Sequence, residues 1–452
     1  MKKKLLKIFI AIILLLVIGG FFYLYPKLPI LNGYAAKMAC SCKFVAHKPL
    51  DYIVKHDLNF FPINLASVEI NEGEQSASAS FLGLRTRTAY FNPQTGCALM
   101  GKEKVAEYKN MYFETKGQFY QNDSLFWPYS KYIQPEISSE IDINKIKTAV
   151  NNHFSEENNL PIGKNRNTRA VVVVYKDQLI YEQYAPGYSK DSRLIGWSMS
   201  KSVTNALVGI LVKKGLVEIK KPVGIEEWEN DERKNITWDD LLKMKSGLDW
   251  EEDYTKKSGA TRMLYESEDM VDFAINREME AKVGEHWEYS SGTSNVLSGL
   301  IRRKVGENYW EFPYNELFGK IGANSFLFET DANGNYVGSS YAWATARDWA
   351  KFGLLYLHDG NWNGEQILPK GWATYSGTPI PESDGKYGAH FWTKNSGEDL
   401  NLPAGSYLAQ GYQEQRIFII PKKDLVIVRL GLTNGGYAGF GEMISTIIES
   451  TP

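Results

Sequence analysis

Cysteine and histidine are scarce in this chain, and their scarcity excludes whole classes of site. Among 452 residues there are three cysteines and six histidines: His47, His56, His153, His286, His358 and His390. None of the histidines forms His-Glu-x-x-His or a comparable pair. Cys40-x-Cys42, with no second thiol or histidine pair at ligand spacing, does not make a metal site. There is no phosphate loop and no Gly-x-Gly-x-x-Gly behind a strand, so no metal or organic cofactor is implied. An excess of charge of one sign is also missing. Lysine and arginine total 51 against 53 acids, leaving a formal charge of -2 and no global field for a polyanion, which speaks against nucleic acid as a partner. Gly-x-Ser-x-Gly is absent too: "GWSMS" at 196–200 ends in serine, so a Ser-His-Asp hydrolase elbow is not supported. Internal repeats and low-complexity segments do not occur.

One long hydrophobic run does. Behind Lys2, Lys3, Lys4 and Lys7, residues Ile8 to Tyr25 are free of charge. At about 1.5 Å per residue they span roughly 27 Å, near the lower limit for crossing a bilayer. A signal-peptide core is shorter and is followed closely by a small-x-small cleavage site; the nearest candidate, "GYA" at 33–35, lies well beyond. The expectation is an uncleaved anchor with its lysines in the cytoplasm and the rest translocated to the periplasm or exterior. Cysteine usage fits an oxidising side. Cys40 and Cys42 are too close to pair comfortably, so Cys97 is expected to bridge one of them; Cys42 is carried forward as the candidate.

The chain exceeds one ordinary core, so two domains or one large enzyme domain with an appendage are expected. From 33 to about 110, "ASVEI", "SASASFLGL" and "RTRTAYF" are short strand-like runs between turn signals. "AVVVVYK" at 170–176 and "QLIYEQY" at 178–184 read as a hairpin, and "SYLAQGY", "RIFIIP" and "LVIVRLG" as three more strands between 406 and 431. Helical patterns fall at 201–215, 238–246, 262–276, 293–305 and 344–358, and "FGEMISTIIES" closes the chain as a helix. A sheet drawn from both ends of a domain, with helices inserted between, is an α+β arrangement with a cleft where the parts meet.

The chemistry concentrates in "SMSKSVTNALVGILVKKG". A helix beginning near Ser198 places Lys201 one turn on and on the same side. A lysine there eases deprotonation of the hydroxyl and, as a buried neutral amine, accepts its proton. The helix start also offers free amides to an oxyanion. Against this stands a plain serine cap with a surface lysine, so the motif needs partners. Tyr289, before a second helix in "EYSSGTSNVL", is one: a phenol beside an ammonium ionises more readily and can serve as base and then acid. Ser291 follows two residues on. Gly411, inside a strand, weakens it unless something approaches the backbone closely; the alternative is a bulge. Beside Ser198, such a strand would offer the Tyr412 amide as an oxyanion donor. Trp197, Trp287 and Trp392 are candidate walls of an apolar acyl site, the alternative for each being a place in the core; His286 is more readily a local packing residue.

Ser198-Met199-Ser200-Lys201, "ITWDDLLKMKSGLDW" (236–250), Tyr289-Ser290-Ser291, "SSYAWATARDWAKFGLLYLHDGNWNGEQILP" (339–369) and the closing strands together resemble the serine β-lactamase-related superfamily. Within it the likeness is strongest to the 6-aminohexanoate-dimer hydrolase and esterase branch, over roughly residues 165–450. The resemblance implies a β-lactamase-like antiparallel sheet flanked by helices with a helical subdomain. It also implies an acyl-enzyme on Ser198, with Lys201 and Tyr289 handling its proton. Ala409-Gln410-Gly411 stands where many relatives carry Lys-Thr-Gly or His-x-Gly, and Ser291 where penicillin-recognising members often have Asn. Glu414 replaces an expected glycine. These departures favour an esterase or amidase over a β-lactamase or cell-wall D-amino-acid peptidase; a non-catalytic peptidoglycan sensor is the alternative of another class. The expected plan is an anchor at 1–32, a small β-rich accessory domain at 33–125 and the hydrolase domain at 126–452. Catalytic candidates are Ser198, Lys201 and Tyr289; candidates for the oxyanion or substrate are Gln410, Gly411, Tyr412 and Ser291.

Overall fold

The computed structural model describes residues 2–115, 124–155, 165–396 and 398–452. Helix α1 (Lys2–Leu24) carries exposed Leu5, Leu6, Ile8 and Phe9, and side chains added at Gly19 or Gly20 would meet nothing within 4 Å. The expected membrane span runs through α1, but its side chains at 11–13, 15–18 and 21 lie outside the described residues. Among the described residues no helix is long and apolar enough to cross a membrane, so the anchor draws no support from the structure.

Helix α2 (Leu28–Cys40) is buried along almost its whole length, as a helix apolar on all sides must be. One side packs on an antiparallel sheet of β1 (Ser67–Asn71), β2 (Ser76–Phe81), β3 (Leu84–Asn92) and β4 (Gly96–Leu99). The other meets the main body so closely that a Cβ on Gly33 would lie 2.8 Å from the Tyr265 carbonyl oxygen. A disulfide ties α2 to β4, and it joins Cys40, not Cys42, to Cys97. The reason is helical: two residues on, a side chain points about 200° around the axis, away from the sheet. Cys42 is a buried free thiol. Lys37 and Glu329 form a buried ion pair at 2.6 Å. Glu329 also accepts from the Ser41 hydroxyl, the Cys97 amide and the Trp343 indole, each at 2.8 Å. A charge pair taken out of water needs this completeness of partners.

Helix α3 (Ile143–Phe154), capped by Asp142, precedes the main sheet. That sheet has five antiparallel strands, β5 (Thr168–Tyr175), β6 (Gln178–Tyr184), β7 (Tyr407–Gly411), β8 (Gln415–Ile420) and β9 (Leu425–Gly431), in the order β7-β8-β9-β5-β6. Every residue of β5 is buried. Ala170, Val172 and Val174 face a core that also holds α2 and the central helices α4 (Met199–Lys213), α5 (Ser291–Val305) and α6 (Ala346–Leu357). Val171, Val173 and Tyr175 face a second core with α3 and α7 (Gly441–Ser450). Both faces are covered, so the strand reads as a continuous apolar run without alternation. The α+β plan is as expected. The 262–276 pattern divides into two short helices, Gly259–Tyr265 and Met270–Ile275, because Asp269 caps the second.

Candidate active site

The turn into α4 sets the nucleophile candidate. Trp197 takes φ of +48°, and Ser198 follows at the N-cap with no side-chain capping bond. Its hydroxyl is therefore not spent on the ordinary role of a serine at a helix start. Ser200 is the structural serine: it donates to the Trp197 carbonyl at 2.7 Å and accepts from the Ala342 amide at 2.9 Å. Lys201, one turn into α4, is buried, and its Nζ donates to Ser198 Oγ at 3.2 Å, Ser291 Oγ at 3.0 Å and the Ser339 carbonyl at 3.1 Å. Burial outweighs the opposing field of Glu252 and lowers its pKa to about 8.

The start of α5 supplies the opposite wall. Ser290 caps it by accepting from the Thr293 amide at 3.0 Å, which holds Tyr289 and Ser291 on either side. The Tyr289 ring lies 4.7 Å from Lys201 Nζ, and Ser198 is among the groups that act on its hydroxyl. The ease of ionisation expected from a neighbouring ammonium is reversed. Burial first, and then the charge of Glu252, push the Tyr289 pKa well upward, so it remains a phenol. Glu252 is the group that sequence reasoning missed. Its carboxylate accepts from Ser291 Oγ at 2.5 Å, the Ser291 amide at 2.9 Å, Tyr254 at 2.6 Å and the Trp250 indole at 2.5 Å. It sits in an acidic run 39 residues from Ser291, and no local spacing marks it.

The end of β7 closes the site. A Cβ on Gly411 would stand 2.1 Å from the Gly196 carbonyl oxygen and 3.2 Å from the Ser198 amide nitrogen, so glycine serves close approach and not a bulge. Tyr412 follows it directly, its ring 5.5 Å from Trp197 and 6.2 Å from Tyr254. Gln410 differs from expectation: its amide donates to the Lys394 carbonyl at 2.8 Å and accepts from Ser396 Oγ at 2.8 Å, which ties β7 to a neighbouring loop. Beyond it, Gln413 and Glu414 both take positive φ, 59° and 65°. Arg429 donates to both of their carbonyls, and Glu414 pairs with buried Arg416 at 2.6 Å, holding a conformation that glycine would adopt without cost.

Trp287 and Trp392 join Tyr289 and Tyr387 in an aromatic wall, while Trp197 packs beneath with Tyr34 stacked at 6.2 Å. His286 is exposed, 3.6 Å from Glu288. His390 is buried and neutral, with Nδ1 donating to the Leu242 carbonyl and Nε2 accepting from Ser294, and its pKa is lowered by burial to about 3. Among the described residues no group of three or more His, Cys, Asp or Glu could hold a metal ion. A separate cavity of about 740 Å³, lined by Arg193, Lys214, Tyr314 and Glu316 among others, shares no residue with this site.

An Ser-x-x-Lys helix start facing a sheet edge, in an α+β body with antiparallel strands, defines the class of serine β-lactamase-fold hydrolases. The chain belongs to the Beta-lactamase family, whose model matches residues 156–447. It is similar to 6-aminohexanoate-dimer hydrolase of Paenarthrobacter ureafaciens, with 24% identity over 289 residues, covering 58% of this chain and 72% of that protein. A solved structure from Bacillus anthracis with the provisional name 6-aminohexanoate-dimer hydrolase is 24% identical, with TM-score 0.54 over 63% of this chain and 78% of the other. A family VIII carboxylesterase shares the fold at 13% identity, with TM-score 0.54 over 70% and 98%.

Proposed function

We propose that the chain is a serine hydrolase of carboxylesterase or amidase type, working through an acyl-enzyme on Ser198. The observation that carries this reading is Lys201 Nζ, 3.2 Å from Ser198 Oγ, with its pKa lowered to about 8. In the cycle, Ser198 Oγ attacks the carbonyl carbon while its proton passes to neutral Lys201. The Ser198 and Tyr412 amides hold the oxyanion. Tyr289 gives its proton to the departing oxygen or nitrogen and regains one from the Lys201 ammonium. Water then enters by the reverse relay and releases the acid. Gln410 in place of a cation, and Arg416 already paired with Glu414, favour a substrate without a recognition carboxylate.

Ser198→Ala tests the reading: fluorophosphonate labelling and hydrolysis of short acyl esters are expected to vanish while thermal unfolding stays at the wild-type midpoint. Full activity in that variant would remove Ser198 from the mechanism. Turnover of a chromogenic cephalosporin with labelling by a fluorescent penicillin would instead favour the peptidase or β-lactamase reading. No probe reaction at all would favour the sensor.

The N-terminal segment is part of the proposal. The lysines at 2–4 and 7 and the uncharged run from Ile8 to Tyr25 in the sequence favour a single-pass anchor, with residues 33–125 as an accessory unit and the catalytic part in the periplasm or exterior. Removal of residues 1–24 should move the protein from the membrane fraction to the soluble one with its esterase activity retained. Equal membrane recovery of both forms would reject the anchor.

A further inference from the structure

Protonated Lys201 has three N–H groups, and three acceptors take them: Ser198 Oγ, Ser291 Oγ and the Ser339 carbonyl. When the amine loses a proton, one of the three directions becomes its lone pair, and the reaction needs that direction to be Ser198. A carbonyl oxygen cannot donate, so Ser339 does not compete. Ser291 would compete, because a free hydroxyl can turn its hydrogen toward the amine. It cannot do so here: its O–H is held by Glu252 Oε1 at 2.5 Å, and a carboxylate only accepts. The Ser291 amide, the Tyr254 hydroxyl and the Trp250 indole hold Glu252 in that position. Ser198 is then the one neighbour of Lys201 in this set whose hydroxyl is free to turn and donate.

We propose that Glu252 is a positioning residue: by fixing Ser291 as an acceptor it aims the Lys201 lone pair at the nucleophile. The proposal rests on the reading of Ser198 as the nucleophile. It assigns Ser291 a second task besides any contact with substrate, and it explains the short acid–serine–lysine chain at the site. Glu252 also acts on Lys201 through its charge. The other titratable groups around the lysine are Tyr289, held protonated by burial, the exposed Tyr254, whose hydroxyl donates to Glu252, and neutral His390; Arg416, which faces Tyr289, is already paired with Glu414. Loss of the Glu252 charge therefore favours the neutral amine and moves its titration to lower pH.

The test uses the full chain and the pH dependence of kcat/KM on a short p-nitrophenyl ester. Glu252→Gln replaces an acceptor by a group that can donate to Ser291, freeing its hydroxyl to turn on Lys201. The expected result is a plateau lowered by about 100-fold, an acidic limb displaced to lower pH, and continued labelling of Ser198 by the fluorophosphonate. Ser291→Ala, which keeps the charge, should lower the plateau with its limb near the wild-type position. The double variant should lose no more than the worse single one. An unmoved limb or an undiminished plateau in Glu252→Gln overturns the proposal, as does an additive loss in the double variant. If Glu252→Gln does not fold, a wild-type plateau in Ser291→Ala overturns it. Persistent labelling of Ser198→Ala would instead bring down the nucleophile assignment, leaving the two failures distinct.

Discussion

Burial lowers the Lys201 pKa to about 8, and in the proposed cycle only its amine form accepts the Ser198 proton. Activity is therefore expected to rise with pH through about 8, and to hold beyond it because the Tyr289 pKa is raised above its ordinary value of 10.0. A limb near pH 6 would point to histidine, but His390 stays neutral down to about 3. Lys201→Ala should cost roughly 10²- to 10⁴-fold in kcat/KM, measured against the wild type at pH 9. The contact between Ser198 and Lys201 was legible because three-residue spacing on a helix is a local property. The protonation of Tyr289 was not, since burial depends on residues such as Trp392 and Tyr387 that come about a hundred positions later. Glu252 was invisible for the same reason, its role arising only where two distant segments meet. Glu414 looked out of place as a sequence letter; its left-handed backbone explains why, and Arg416 and Arg429 explain how it is tolerated.

The contact between β7 and the head of α4 leaves no room for a side chain. Gly411→Ala puts a methyl against the backbone at 196–198, where nothing flexible can yield. The strand must withdraw, so the variant is expected to lose roughly 100-fold in acylation rate and about 1–3 kcal/mol in stability. Burst kinetics and urea unfolding measure the two. The strands of the main sheet were readable within a residue or two because turn signals bound them. Helix α2 was not: its apolar residues surround the axis, so it carries no face that periodicity could detect. The region read as β-rich from its later strands is a helix roofed by a sheet. The choice of Cys40 over Cys42 follows from that unseen helix, since only helical rotation separates their directions.

The N-terminal part is built into the hydrolase body, sharing one apolar core with α4 and carrying Tyr34 against Trp197, the neighbour of Ser198. The Cys40–Cys97 bond closes a loop across a separation of 57 residues. A loop of that length corresponds to roughly 4 kcal/mol of denatured-state entropy. Cys40→Ala with Cys97→Ala should lower the free energy of unfolding in urea by about that amount, and a loss below 1 kcal/mol would show that the ion pair and core already hold α2. Lys37 and Glu329 give the molecule a timetable as well. They stand 292 residues apart in the chain, and a ribosome adding about 5–20 residues per second needs roughly 15–60 s to cover that distance. For that interval α2 exists as an apolar segment with a lysine whose partner has not been made. Helix α2 can pack on β1–β4 as soon as they follow it, so the step left waiting is electrostatic: Lys37 has no Glu329 to meet until most of the hydrolase body has been made.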